Sequence, residues 1–237
     1  MIPEPTADVR TVVATLALAD WRRAVAALYA EVRKLAMTDV DAALALWRET
    51  REQLYREHPQ SPVPPDARAT FRSHHFEHDR ALRFEVVVDD LAETSETSRP
   101  ADATARSAGF GALGGLAIQL PVSAGGGMSF ERFGSVTIPF PDGPRRLEIY
   151  WMQGYAGGLF LPFRDSTNGA ETYGAGRYLL DSAKSADLGA GADPNSLVLD
   201  FNFAFQPSCA FDPKWACPLA PPSNRLDLPV RAGERIA

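Results

Sequence analysis

The stretch Arg164-Asp165-Ser166-Thr167-Asn168-Gly169, followed by Thr172, Tyr173, Arg177 and Tyr178, concentrates side chains able to do chemistry. Two arginines near a carboxylate can grip a carboxylate or phosphate through paired N–H donors. Asp165 could orient one of them or act as a general base. The run follows an apolar strand pattern, and sites are often built at strand ends. The same Asp-Ser-Thr-Asn-Gly residues are also what a tight turn requires, with side chains bonding the backbone and glycine taking positive φ.

A second constellation lies in Leu197–Phe205. Read as a strand, it puts Leu197, Leu199, Phe201, Phe203 and Phe205 on one face and Asp200 and Asn202 together on the other. The pair then lines a polar cavity, faces solvent, or supplies a salt bridge to Arg164 or Arg177. Cys209 and Cys217 form a third group. Zinc sites pair cysteines about two to four residues apart and need further ligands, which this spacing does not offer. No histidine follows position 78 to act as a base for a nucleophilic thiol. The two cysteines read as small buried hydrophobes, with a redox pair as the alternative. His74, His75 and His78 could bring two ligands to a metal, but no third is identifiable, so no metal is expected.

The elements that must position these groups follow from periodicity. Trp21, Val25, Leu28, Val32 and Leu35 recur at helical spacing among charged residues. A second helix carries Leu44, Trp47, Leu54 and Tyr55; Thr38 and Asp41 resemble a capping box, and His58-Pro59 ends it. From Leu82 the period changes to two. Strands are expected at Leu82–Val88, Val136–Phe140, Leu147–Met152, Leu159–Phe163, Leu197–Phe205 and Leu226–Arg231, with a turn at Pro141–Pro144. The segment Glu93–Gly115 is rich in Ser, Thr, Ala and Gly and reads as a surface loop or mobile insertion. Its Gly109, Gly111 and Gly114 have dinucleotide-binding spacing without the strand and helix that would give it meaning. The expected fold is α+β, mainly β: N-terminal helices over residues 1–58 packed on an antiparallel β sandwich or barrel over residues 59–237.

Composition narrows the function classes. The 237 residues are 45% hydrophobic and 23% charged, the balance of a folded protein. A net charge of −6 argues against nucleic acid and anionic membrane as partners. No signal peptide is legible in MIPEPTADVR and no run suits a membrane span, so a cytoplasmic protein is expected.

The polar residues set among glycines and prolines in GGLFLPFRDSTNGAETYGAGRYLLD, LVLDFNFAFQPSCAFDPKWACPLAPPSNRL and RAGE, with HPQSPV at His58–Val63, carry a resemblance. The sequence resembles the uncharacterised prokaryotic domain-of-unknown-function family 1684. The resemblance implies a shared fold and no particular reaction. In similar sequences tyrosine or asparagine is common where this chain has Phe205, Gln206 and Phe211, and glycine where it has Ala175.

From residue chemistry alone, the expected function is a small-molecule enzyme acting by acid–base chemistry on a polar or anionic substrate. Arg164 and Arg177 would hold the anion, Asp165 or Asp200 would transfer a proton, and Tyr173, Asn168 and Asn202 would position the substrate. The alternative is a non-catalytic β module that binds a ligand or protein. A flavin-binding barrel is compatible with the β content but has no supporting motif. Cofactor and oligomeric state are left open. Clustering separates the first two readings, because an enzyme brings titratable groups into one cleft and loop-fixing disperses them.

Overall fold

The computed structural model describes residues 7–90, 115–155 and 157–237, so all of the Glu93–Gly115 insertion except Gly115 lies outside the described residues. The chain divides into two compact units, Met1–Ser73 and His74–Ala237.

The first unit is built on α1 (Ala7–Ala36) and α2 (Val40–Glu57). The N-cap of α2 is Asp39, one residue after the expected Thr38. Its carboxylate accepts from Ala42 N at 2.9 Å, whereas the Thr38 hydroxyl turns back to Leu35 O. Trp47 is fully buried and donates its indole N–H to Tyr29 OH at 3.0 Å. Beyond α2 the chain stays with the helices. Ser61 Oγ donates to Tyr55 O, Arg68 Nε donates to Val63 O, and Ser73 donates to Glu52 through both N and Oγ. These bonds give the HPQSPV motif a structural task and carry the unit on to Ser73, past the expected boundary at residue 58.

The second unit contains β1 (His74–His75), β2 (Arg83–Asp90), β3 (Leu116–Pro121), β4 (Gly127–Phe140), β5 (Gly143–Met152), β6 (Gly158–Phe163), β7 (Arg177–Asp181), β8 (Ser196–Asp200) and β9 (Glu234–Arg235). β1 and β9 pair with each other, and the rest form a seven-stranded antiparallel sheet in the order β7-β6-β5-β4-β2-β8, with β3 also on β4. The fold is therefore α+β and mainly β, and the sheet is curled into a half-barrel. β4 allows the fork: Gly127–Arg132 pairs with β3 and Gly134–Val136 with β2, with a bulge between Arg132 and Gly134. A Cβ at Gly134 would lie 2.8 Å from Val88 Cγ1, so the close approach of β2 requires glycine there.

Alternation gives the sheet two apolar faces. One holds Val136, Ile138, Leu147, Ile149, Leu161 and Phe163 around fully buried Phe201. The other is aromatic, with ring centroids 5.0 Å apart for Phe130–Phe160, 4.8 Å for Phe160–Tyr178 and 5.8 Å for Tyr178–Phe205.

Two expected strands change character. Leu197–Phe205 is a strand only to Asp200, after which Phe201–Phe203 turns in a 3-10 helix with the Asp200 side chain accepting from Asn202 N. An aspartate and an asparagine next to the backbone favour such local bonds over a continued ladder. Leu226–Arg231 is not a strand. It is extended chain hung on the turn after β6, through Leu226 N to Arg164 O and Ser166 N to Leu228 O.

Fully buried Asn224 staples the loop after Cys217 to the sheet. It accepts from Glu148 N at 2.9 Å and donates to Glu148 O at 2.9 Å and Pro162 O at 2.8 Å. Asn224→Ala leaves these backbone groups buried and unpaired, so it should destabilise the protein by about 3 kcal/mol or more. Chemical denaturation measures this, and a loss under about 1 kcal/mol would show that water replaces the amide.

Candidate functional site

Asp165 and Arg177 meet in a fully buried ion pair, Nη2 to Oδ2 at 2.8 Å. The other Asp165 oxygen accepts from Thr167 N at 2.7 Å and Thr167 Oγ1 at 2.5 Å. Asn168 closes the turn. Its Oδ1 accepts from Asp165 N, and its Nδ2 donates to Thr172 Oγ1 and Tyr173 O. Arg177 also donates to the carbonyls of Val230, Ala232 and Glu234. Both Nη groups are thus spent on protein acceptors, which removes Arg177 from the expected anion clamp. Burial lowers its pKa against the raising effect of Asp165.

Asp200 and Asn202 are also fully buried and stay adjacent, although not on a strand face. Asn202 Nδ2 donates to Asp200 Oδ1 at 2.8 Å and to Asp79 O at 2.8 Å, and Asn202 Oδ1 accepts from Asp79 N. The cation beside Asp200 is Arg83, at 3.3 Å, and not Arg164 or Arg177. The two aspartates therefore sit in separate networks with no shared partner, each fixing a loop. Arg164 is half-buried and donates to Gly174 O at 2.8 Å.

Tyr173 belongs to a different group, which sequence reasoning assembled only in part. The 3-10 turn Ser208–Ala210 presents Cys209, whose backbone N–H donates to Cys217 Sγ at 3.3 Å. The end of β3 holds the other side: Ser123 N donates to Cys217 O at 2.9 Å and Cys217 N to Ser123 Oγ at 3.0 Å. Both cysteines are free thiols, 7% and 5% exposed. The neighbouring Cys217 thiol outweighs burial and draws the Cys209 thiol down to about 6, while the Ser123 hydroxyl donates to Trp215 O at 2.9 Å. Cys209, with burial, pushes the Cys217 thiol up. Burial and the hydrogen bond to Cys209 raise the Tyr173 phenol to about 12.

More polar groups face this cluster from β7 and the turn after it. Tyr178 OH donates to Pro218 O at 2.5 Å, and its phenol is pushed up by burial and by the charges of Cys217 and Asp181. Asp181, 1% exposed, pairs with Lys184 at 2.9 Å through Oδ2, while its Oδ1 has no hydrogen-bond partner among the described residues. Lys184 in turn lowers the Cys217 thiol. Ser123, Asp181 and Lys184 went unrecognised in the sequence because they lie far from the cysteines along the chain. A spacing of three on a strand sends Tyr178 and Asp181 to opposite faces, and the irregular pairing of β7 at Leu161–Pro162 changes that, so local sequence carries no signal of the cluster.

His74 and His75 pair with Arg235 and Glu234 across β1–β9. Among the described residues no three His, Cys, Asp or Glu side chains converge as a metal site. A separate groove of about 430 Å³ lies where β2 leaves the sheet, lined by Asp89, Asp90, Phe133, Leu159, Asn195 and Leu197 among others.

A family model described as a protein of unknown function (DUF1684) matches residues 112–235. The chain belongs to the DUF1684 family. No curated protein matches it. Among solved structures it is similar to the solution NMR structure of an uncharacterized protein from Haloarcula marismortui, at 28% identity and a TM-score of 0.55, covering 83% of this chain and 94% of that one. The stretch matched by the DUF1684 model contains the Asp165–Arg177 network, Asn224 and the whole Tyr173–Cys209–Cys217 cluster. Among the described residues no helix is long and apolar enough to cross a membrane.

The two buried carboxylates should respond differently to neutralisation. Asp165→Asn strands a fully buried guanidinium and should cost about 3–5 kcal/mol. Asp200→Asn should cost about 1–3 kcal/mol, because the Arg83 side chain is 31% exposed and can turn to water. Denaturant midpoints of the two variants test this; equal losses would contradict the separation into a closed network and a vented one.

Proposed function

We propose that this DUF1684 protein is a small-molecule enzyme working by acid–base chemistry, with Cys209 as the base and Tyr173 as the proton donor. The reading rests on the contact of Cys209 N–H with Cys217 Sγ at 3.3 Å and on the influence of the half-buried Tyr173 phenol and the Cys209 thiol on each other, which moves their pKa values apart. This puts two titratable groups of opposite protonation at one place, the pairing that general acid–base catalysis needs. Asp165 and Asp200 supply the scaffold instead, since each is locked into a loop. The substrate is a small polar or anionic molecule. Arg164, held beside Tyr173 by its bond to Gly174 O, is the cation left to meet an anionic group.

The groove at Asp89 and Phe133 favours a second reading, a non-catalytic module that binds a ligand. Its volume is within the usual range for small-molecule pockets, and it joins apolar walls to carboxylates. Its lining includes neither cysteine, so the two readings make different demands on Cys209.

Incubation of the protein with a cell metabolite extract, followed by mass spectrometry, tests both. The enzyme reading expects depletion of a polar metabolite by the wild type and a loss of about 10²–10⁴-fold in Cys209→Ser and Tyr173→Phe. Turnover should rise with pH through about 6 as Cys209 loses its proton, then stay level, because Tyr173 keeps its proton until about 12. Alkylation of Cys209 by iodoacetamide should show the same inflection, and an inflection near 9 would contradict an activated thiol. Undiminished turnover in Cys209→Ser would sink the acid–base reading. Retention of a metabolite without conversion would favour the binding module.

A further inference from the structure

We propose that Cys209 and Cys217 are a redox-active dithiol that closes to an intramolecular disulfide by exchange with small-molecule disulfides. This goes beyond the acid–base reading and does not need it. The two cysteines are already in contact, Cys209 N–H donating to Cys217 Sγ at 3.3 Å. Closing a bond of about 2.05 Å between their sulfurs brings no distant segments together. Both ends of the Cys209–Cys217 loop are held. Cys209 sits in a 3-10 turn, and Cys217 exchanges backbone bonds with Ser123 at the end of β3.

The two cysteines are not equivalent, and the asymmetry sets the order of events. The neighbouring Cys217 thiol draws the Cys209 thiol down to about 6 against burial, which makes Cys209 the attacking sulfur. Its thiolate attacks one sulfur of a disulfide R–S–S–R, forms a mixed disulfide, and expels R–S⁻, which takes a proton from water. Cys217 is held protonated chiefly by its bond to the Cys209 sulfur. Once that sulfur has lost its charge in the mixed disulfide, Cys217 gives its proton to solvent and attacks Cys209 Sγ, expelling the second R–S⁻. Two electrons pass from the protein to the small disulfide: two protein thiols become one disulfide, and R–S–S–R becomes two R–SH. Lys184, whose charge acts on Cys217, favours the thiolate of this second step.

The test uses the full chain and 2-hydroxyethyl disulfide at pH 7.5, with intact-mass and peptide mass spectrometry under native conditions. The wild type should lose ~2 Da, mapped to a Cys209–Cys217 link, and dithiothreitol should reverse it. Cys217→Ser should instead accumulate a single mixed disulfide at Cys209, and Cys209→Ser should react at least about tenfold more slowly at its remaining thiol. Stable adducts on both wild-type cysteines without closure would overturn the proposal, as would faster reaction of Cys217. It would also fail if the folded wild type did not react while the guanidinium-unfolded chain did, since that would make the thiols a sealed pair. These outcomes involve no metabolite, so loss of the acid–base reading leaves them intact, and failure here leaves that reading to its own turnover test.

Discussion

The guanidinium of Arg177 is fully buried on the first residue of β7, and its neighbours are drawn from parts of the chain that share no local sequence. Asp165, on the turn after β6, supplies its countercharge; Val230, Ala232 and Glu234, near the C-terminus, supply carbonyls. The rings of Phe163 and Phe76 lie 5.1 and 5.9 Å from the guanidinium carbon. A buried charge is tolerated when most of its donors are met; here both Nη groups are, by acceptors that are themselves tied down, while Nε has no partner among the described residues. A lysine could not serve, because its point charge offers no planar fork to reach several segments at once. The glycines on either side of this centre have steric reasons. Gly176 has φ +101, and a Cβ there would lie 2.5 Å from Phe163 O; Gly233 has φ +76, and a Cβ there would lie 2.7 Å from Phe201 O.

What Arg177 fixes reaches the thiols through a short series of bonds. The C-terminal segment it clasps brings in Glu234, 2% exposed, whose Oε2 accepts from Gln206 N at 2.7 Å. Phe205 beside it exchanges backbone bonds with Tyr178, the residue after Arg177. The chain leaves that anchor through Pro207 into the turn bearing Cys209, and Tyr178 OH catches its return at Pro218. The lowered Cys209 thiol lies on a turn held by this frame. A free loop would bring water to it and restore an ordinary thiol.

Much of the fold was legible because periodicity reports burial. The helices, β2 and the cores of β4, β5 and β6 all announce themselves through spacing. The errors arose where local polar chemistry competed with periodicity. LVLDFNFAF alternates perfectly, yet Asp200 and Asn202 bond their own backbone and turn the chain, so Phe201 and Phe203 reach the core from a 3-10 helix. β7 was overlooked because its residues, Arg177, Tyr178, Leu179, Leu180 and Asp181, are all buried, and a strand covered on both faces has no alternation to show. The polar residues that stood out as a site, Asp165, Asn168, Arg177, Asp200 and Asn202, did so because they are charged or amide-bearing. Their burial, which sequence does not display, turned them to fixing loops.

The cysteines show the converse. Their spacing lacks a metal pattern and their surroundings lack a histidine, so local sequence offered no base and no ligand set. The fold supplies the missing neighbour: Cys209 N–H meets Cys217 Sγ, and the two thiols shift in opposite directions. Acid–base poise comes from differences in environment, not from residue type, and a pair of identical groups is split most strongly when they share one hydrogen bond. Cys209 and Cys217 are split in this way, in opposite directions, on a frame secured by a buried arginine. The polar motif residues are thus largely fixed in loops, and the chemistry proposed for this chain rests on two residues that composition alone would place in the core.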